Sequence, residues 1–310
     1  MPRNSLDVDL VTITFEGDVR LTVLQILSVD RLLDHSSIGR YIVVLNGQNN
    51  AQLEALLKTN TESRIAPGLA AKIDYVKAPT LLPGHNSRGW RGQQLLKLVV
   101  ANHLAARYYL LLDAKNHFVH RTLVRDFFTE TAIKTFRRAA PQIYYSHIKK
   151  SFGAFAAEDR AGEYTESAMP TVTPYLMDAG LVRGMMSELE SKYAGRAFED
   201  LFEKELSGTT EFFLYCAYLV ATGQESLYED SAPMVVTLFT KWPQDHKDVM
   251  RLVNSAISNK VAMFGLHRRR LPQLNDEQRD SIVKLWNTEL LTAYEDPAWF
   301  MEIDHPMSTP

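Results

Sequence analysis

The stretch YYLLLDAKNHFVH, residues 108–120, decides the fold. Its opening run from Tyr108 to Leu112 is continuously apolar, without the alternation of a strand that has one face in water. The run then breaks into an acid, Asp113, a base, Lys115, and an imidazole, His117. A strand buried on both faces belongs in a parallel sheet covered by helices, and the polar break marks its carboxyl end. Ligands on open α/β sheets gather beyond such ends. Residues two apart in extended chain point to the same side, so Asp113, Lys115 and His117 are expected on one face just past the strand.

Upstream, strand-like and helix-like segments alternate. LVTITF (10–15), YIVVLN (41–46) and KIDYV (72–76) read as strands. Between the first two, Asp18 is placed to cap a helix with the apolar stripe Val19, Val23, Ile26, Leu27 and Leu33. The turn NGQNN leads into a short helix at AQLEALLK (51–58), and a long helix is expected from near Arg91 through QQLLKLVVANHLAA (93–106). Strands and helices alternating at this spacing predict an α/β fold with a mostly parallel central sheet.

The second half is less regular. TVTPYLM (171–177) reads as a short strand broken by Pro174. DAGLVRGMMSELESKY (178–193) is a helix with Asp178 as cap, and TTEFFLYCAYLVATG (209–223) is an apolar helix closed by Gly223. MVVTLF (234–239) and KVAMFGLH (260–267) read as strands on either side of the helix DHKDVMRLVNSAI (245–257). From Leu271 onward we expect one amphipathic helix at DEQRDSIVKLWNTELL (276–291) and then a polar, mobile tail.

Composition bounds the function. The 310 residues are 45% hydrophobic and 23% charged with a formal net charge of -3, which suits a globular protein with a sizeable core and offers nucleic acid no general attraction. The single cysteine, Cys216, lies among apolar neighbours and reads as a buried thiol in a reducing compartment. The N-terminus lacks the basic and then apolar pattern of a signal peptide, and no apolar run is long enough to span a bilayer. The expected location is therefore cytoplasmic, with a peripheral membrane contact left open. Dinucleotide-binding, phosphate-loop and serine-hydrolase glycine motifs are all absent from the sequence.

Several side chains carry candidate chemistry, each with a plainer reading beside it. Asp113 and Lys115 either neutralise each other at the surface or hold ribose hydroxyls, a metal or phosphate. In HNSRGWRGQQLLKL (85–98), Gln94 and Lys97 share a helix face at i, i+3, with Gln93 joining at i, i+4, and would face a polar cleft. Trp90, with Gly89 before it, either stacks on a ligand or belongs to a core or interface. Glu211 opens its helix after Thr209 and Thr210, as an acid favoured by the helix dipole or as a base.

The order of these motifs carries a resemblance. YLLLD followed by x-[charged]-N-x-F, with GWRGQQLLKL upstream and TPYLM and TEFFLY downstream, resembles a bacterial family of GT-A-type glycosyltransferases catalogued mainly as a domain of unknown function. The likeness runs from about Leu10 to His267. It implies a GT-A-like domain over residues 7–270, with a nucleotide-sugar-binding half at 7–120, an acceptor half at 121–270, and a C-terminal helix and tail at 271–310. It also implies a nucleotide-sugar donor and a saccharide or lipid-linked acceptor, as in bacterial surface polysaccharide synthesis.

In such enzymes the strand-end motif is usually Asp-x-Asp, whose carboxylates hold a divalent cation against the donor diphosphate. Here it stands as Asp113, Ala114, Lys115. Either Lys115 replaces the cation, so that no cofactor is needed, or manganese or magnesium is held by Asp113 with His117 or His267. The resemblance further implies diphosphate contacts from Arg268, Arg269 and Arg270, donor contacts from Trp90, Gln94, Lys97, Thr14, Phe15, Glu16 and Asp74, and a base at Glu211, with Asp178 second. Lys115 equally admits a catalytically silent nucleotide- or glycan-binding protein on the same scaffold. A nucleotidyltransferase is a third reading, without a glycine-rich phosphate loop to support it.

Overall fold

The computed structural model describes residues 7–258 and 261–303. Ten strands form among them: β1 (Val8–Thr14), β2 (Tyr41–Leu45), β3 (Ile73–Lys77), β4 (Tyr108–Asp113), β5 (Asn116–Phe118), β6 (Ile133–Thr135), β7 (Tyr175–Asp178), β8 (Tyr228–Asp230), β9 (Val235–Leu238) and β10 (Met263–Leu266). A mostly parallel five-stranded sheet runs β3-β2-β1-β4-β7, flanked by helices. Strands β1 and β2 pair parallel from Leu10↔Tyr41 to Thr14↔Leu45, and both are buried throughout, which suits the continuously apolar YIVVL of β2. Strand β7 is the exception, antiparallel to β4 with Tyr108 opposite Asp178. A second sheet, β5-β10-β9, and a parallel pair, β6-β8, complete the strands.

The chain folds into two compact units. One comprises residues 7–9, 76–111 and 127–232, and the other residues 10–75, 112–126 and 233–303. Both β1 and β4 therefore change unit along their length.

In the first unit, the apolar helix Glu211–Ala221 is the core element, buried from Glu211 to Val220 and packed on the helix Tyr145–Gly153. The helix expected from Arg91 begins at Gly89, whose positive φ of 74° turns the chain into it, and ends at Val99 in a short 3-10 turn.

In the second unit, the helix Val19–Leu32 buries ten of its residues, among them the polar Gln25, Ser28 and Thr22. Asp18 stands at its N-cap position but makes no side-chain capping bond. The segment after Leu271 does not form a separate tail. Trp286, on the helix Asp276–Glu289, is fully buried, and Phe300, on the short helix Pro297–Met301, packs edge-on against it at 6.3 Å. The rest of the expected mobile tail, residues 304–310, lies outside the described residues.

One buried amide organises this unit. Gln25 Oε1 accepts from the Thr12 and Tyr41 hydroxyls, each at 2.7 Å. Its Nε2 donates to the carbonyls of Asp113 at 2.7 Å and Asn116 at 2.6 Å. All four bonding positions of the amide are thereby used, and the two carbonyls flanking the polar break are tied to β1, β2 and the first helix. Replacing Gln25 with the nearly isosteric Met removes the amide while keeping the volume. We expect a loss of about 3 kcal/mol, from buried carbonyls and hydroxyls left without partners, read as the shift in a urea unfolding midpoint. An unshifted midpoint would remove Gln25 from this role.

Candidate functional site

The second unit gathers charged residues at the carboxyl ends of its strands. Asp113 closes β4, Asn116 opens β5, and the Asp113 N–H donates to Asn116 Oδ1 at 3.0 Å, which tightens the turn between them. Strand β10 pairs antiparallel with β5, Gly265 opposite Asn116, and the Leu266 N–H donates to the Lys115 carbonyl at 2.9 Å. Gly265 is required because a Cβ there would lie 2.6 Å from Thr237 Oγ1 on β9. This pairing delivers His267, next in the chain, to the Asp113–Lys115 turn.

Lys115 Nζ is bonded to Asp113 Oδ2, with the lysine side chain mostly buried and the carboxylate about one-third exposed. His267 Nδ1 receives the Arg269 N–H at 3.2 Å and lies 3.0 Å from Thr240 Oγ1. A ring nitrogen that accepts cannot carry the proton, so the neutral ring bears it on Nε2. Burial lowers the His267 pKa to about 4, and the cationic Lys115, Arg268 and Arg269 act in the same direction, opposed by Asp113. Arg268 pairs with Asp18 at 3.2 Å and lies over the Phe15 ring at 4.8 Å. Gly17 makes room for this stack, since a Cβ there would lie 2.9 Å from Phe15. Arg270 is buried, and its Nε has no hydrogen-bond partner among the described residues.

These donors suit an anion better than a cation. Among the described residues no three His, Cys, Asp or Glu side chains come together to hold a metal. Asp113 is engaged by an ammonium, and His267 uses the Nδ1 lone pair on a backbone N–H. We derive no step through a divalent cation.

Other expected contacts fall elsewhere. His117 does not share a face with Asp113 and Lys115: it is fully buried in β5, where its Nε2 accepts from Trp286 Nε1 at 2.8 Å and burial pushes its pKa down to about 3. The turn after Asp113 interrupts the extended geometry on which that expectation rested. Thr14 is fully buried, with its hydroxyl 2.7 Å from that of Thr22. Glu16 Oε1 accepts the backbone N–H groups of Gln48 at 2.5 Å and Asn49 at 3.0 Å, so this carboxylate clamps the turn after β2. Asp74 lies on edge strand β3, 3.6 Å from Arg40 and two strands removed from β1.

The first unit has its own polar cluster. Lys97 Nζ lies 3.2 Å from Glu211 Oε1 and 5.2 Å from the centre of the Phe212 ring, and both charged side chains are largely buried. Thr210 caps the helix that Glu211 opens, accepting the Phe213 N–H at 3.4 Å. Arg91, which sequence reasoning passed over, holds the approach to that helix. Its guanidinium donates to the carbonyls of Thr209 and Leu206, each at 2.6 Å, to the Phe202 carbonyl, and to Gln94 Oε1 at 3.1 Å. Burial lowers its pKa to about 10, while Glu211 and Glu203 act to raise it. Gln94 is thus buried support and does not face an open cleft. Trp90 is 62% exposed.

Asp178 behaves as the cap that its sequence suggests. Its Oδ1 accepts the N–H groups of Gly180 and Leu181 at 2.9 and 3.1 Å, and Oδ2 accepts from Arg107 at 3.1 Å. Because β7 runs antiparallel, Asp178 stands opposite Tyr108, at the start of β4.

Comparison with known proteins gives a family and distant structural likenesses. Residues 11–238 match the model of a family of unknown function, DUF6492. No curated protein matches the sequence. Among solved structures, the galactosyltransferase LgtC in complex with donor and acceptor sugar analogs is similar with a TM-score of 0.48 at 12% identity, over 94% of this chain and 99% of that one. The bifunctional glycosyltransferase WbbM has a TM-score of 0.48 at 12% identity over 93% of this chain, which spans only 51% of WbbM. Mouse xyloside xylosyltransferase 1 has a TM-score of 0.39 at 13% identity, over 84% of this chain and 97% of that one.

Two outcomes follow from the geometry. A histidine with its folded pKa lowered from 6.5 to about 4 contributes stability that is complete above pH 6.5 and lost as pH falls toward 4, because the unfolded chain takes up the proton first. The His267 ring resonances should therefore stay at their neutral position down to pH 5.5, and His267→Gln should flatten part of the fall in stability below pH 6.5. An ordinary titration near 6.5 would overturn this. In the first unit, Lys97→Met should cost about 3 kcal/mol in chemical denaturation by leaving the Glu211 carboxylate without its ammonium. A loss below about 1 kcal/mol would mean that the pair is solvated.

Proposed function

We propose that this chain, which belongs to the DUF6492 family, is a glycosyltransferase that moves a sugar from a nucleotide-sugar donor to a saccharide or lipid-linked acceptor. The observation that carries the reading is the Lys115–Asp113 pair at the end of β4, beside an imidazole whose proton lies on Nε2. In such a transfer the bond between the sugar's anomeric carbon and the diphosphate breaks. Its electron pair leaves with the phosphate oxygen, while an acceptor oxygen forms the new bond and gives up its proton.

The demand on the protein is to stabilise the departing diphosphate, and fixed donors in a partly desolvated site do this without reorganisation. Lys115 supplies the positive charge that a cation supplies in Asp-x-Asp enzymes, His267 supplies an N–H donor, and Arg268, stacked on Phe15, supplies a second cation. Asp113 orients Lys115. Glu211 is the candidate base for the acceptor hydroxyl. Transfer of this kind belongs in the cytoplasm, where activated sugars are made, and bacterial surface polysaccharide is the proposed product class. A second reading, a silent nucleotide- or glycan-binding protein, draws support from the ammonium partners of both carboxylates, Lys115 on Asp113 and Lys97 on Glu211.

A panel of nucleotide sugars, each tested with manganese, magnesium or chelator, separates these readings by thermal shift and donor cleavage. The true donor at one hundred times its Kd should stabilise the fold by about 2.7 kcal/mol. We expect binding and cleavage to persist in chelator and Lys115→Ala to lower cleavage about 100-fold, the loss typical of removing one electrostatic donor. Binding without turnover would favour the silent protein, strict metal dependence would displace Lys115 from its role, and no donor binding would end the glycosyltransferase reading.

A further inference from the structure

The chain carries a net charge of -3, yet residues 131–157 hold Lys134, Arg137, Arg138, Lys149 and Lys150 and no aspartate or glutamate. This basic segment also holds three of the large apolar side chains that stand in water. Ile143 is 75% exposed, Tyr145 43% and Phe136 37%. A branched aliphatic side chain left three-quarters in water beside several cations marks a surface meant for something both apolar and negative.

The local structure explains how these side chains are presented. The helix Tyr145–Gly153 turns Ile148, Ser151 and Phe152 inward, at the i, i+3, i+4 spacing of a single face, and packs them toward the helix Glu211–Ala221 and Tyr164. His147 Nδ1 lies 2.8 Å from the Gly208 carbonyl, and Tyr144 meets Phe213 edge-on, which pins the start of the helix. Tyr145, Ser146, Lys149 and Lys150 are exposed along this helix, with Ile143 in the turn just before it. Arg137 is engaged with its surroundings, its N–H donating to Asp230 and its guanidinium to the Ser167 carbonyl. Arg138, Lys149 and Lys150 are exposed and form no ion pair among the described residues.

We propose that the exposed side chains of Ile143, Tyr145, Lys149 and Lys150 dock the protein on an anionic lipid bilayer. No helix among the described residues is long and apolar enough to cross a membrane, so the contact is peripheral. Lysines at the level of anionic headgroups and an aliphatic and an aromatic side chain dipping below them divide the work as an interfacial helix does. Nucleic acid fits less well, since Ile143 offers a phosphate backbone nothing and cannot stack on a base. The proposal stands on these exposed side chains alone and does not depend on the transferase reading.

Vesicle co-sedimentation of the full chain tests it, with phosphatidylcholine vesicles compared against vesicles containing one-third phosphatidylglycerol. We expect at least tenfold stronger partitioning onto the anionic vesicles, weakening in 0.5 M salt on the order expected for screened surface charge. Lys149→Glu with Lys150→Glu, and separately Ile143→Ser with Tyr145→Ser, should each lower partitioning about tenfold with unchanged circular dichroism and melting. These positions face water, so folding should survive. No binding to either vesicle, equal binding to both, or anionic binding untouched by both double variants would overturn the proposal. So would binding to a soluble polyanion such as heparin that is as strong as binding to vesicles and indifferent to the Ile143 and Tyr145 changes.

Discussion

The side-chain amide of Gln25 is the constraint on which the candidate donor site depends. A carbonyl at the end of a buried strand has left the ladder that satisfied it and has no water to turn to. Gln25 supplies both missing donors, to Asp113 and Asn116, and is itself held by Thr12 and Tyr41. The turn carrying Asp113 and Lys115 is thereby referenced to two central strands and the first helix at once. Ser28, one turn further along that helix, accepts the Phe118 N–H at 2.9 Å and continues the attachment into β5.

The same logic governs the charged groups around the turn. Asp113 faces Lys115, Arg268 faces Asp18 and Phe15, and His267 remains neutral because it is buried among cations. The resulting surface is rich in donors, and its carboxylates are already answered. In the other unit Arg91 performs the service that Gln25 performs here: a single polar side chain satisfies the carbonyls of a loop that no ladder reaches, and so fixes the start of the Glu211 helix. Each unit thus commits one polar side chain, the buried Gln25 or the half-buried Arg91, to holding irregular backbone where chemistry is expected.

Much of the fold was legible in the sequence because it follows from burial. The continuous apolar runs of β2 and β4 read as strands covered on both faces, and the helix Ala179–Lys192 begins at the cap expected of Asp178. The candidate site was legible in part. Lys115, His267 and Arg268 come together as their places at strand ends suggested, whereas His117, Thr14 and Gln94 turned inward. Spacing-based reasoning assumed that extended geometry continued past Asp113, and it gave no direction for β7. Neither is testable within a short window of sequence. Gln25 and Arg91 left no signal either, since a polar residue within an apolar helix reads as surface until its long-range partners are known.

Residue chemistry and periodicity by themselves determined the α/β class, the strand end at Asp113 with Lys115 two residues on, and the basic, acid-free segment around Lys149. These are local properties, set by which side chains prefer water and which do not. Tertiary structure alone decided which polar groups meet. The antiparallel pairing of β5 with β10 brings His267 to Lys115, the reversed β7 sets Asp178 opposite Tyr108, and the helix Asp276–Glu289 claims His117 through Trp286. Hydrogen bonds and ion pairs act over about 3 Å between residues that can be more than a hundred positions apart, and only the path of the chain brings such partners into reach.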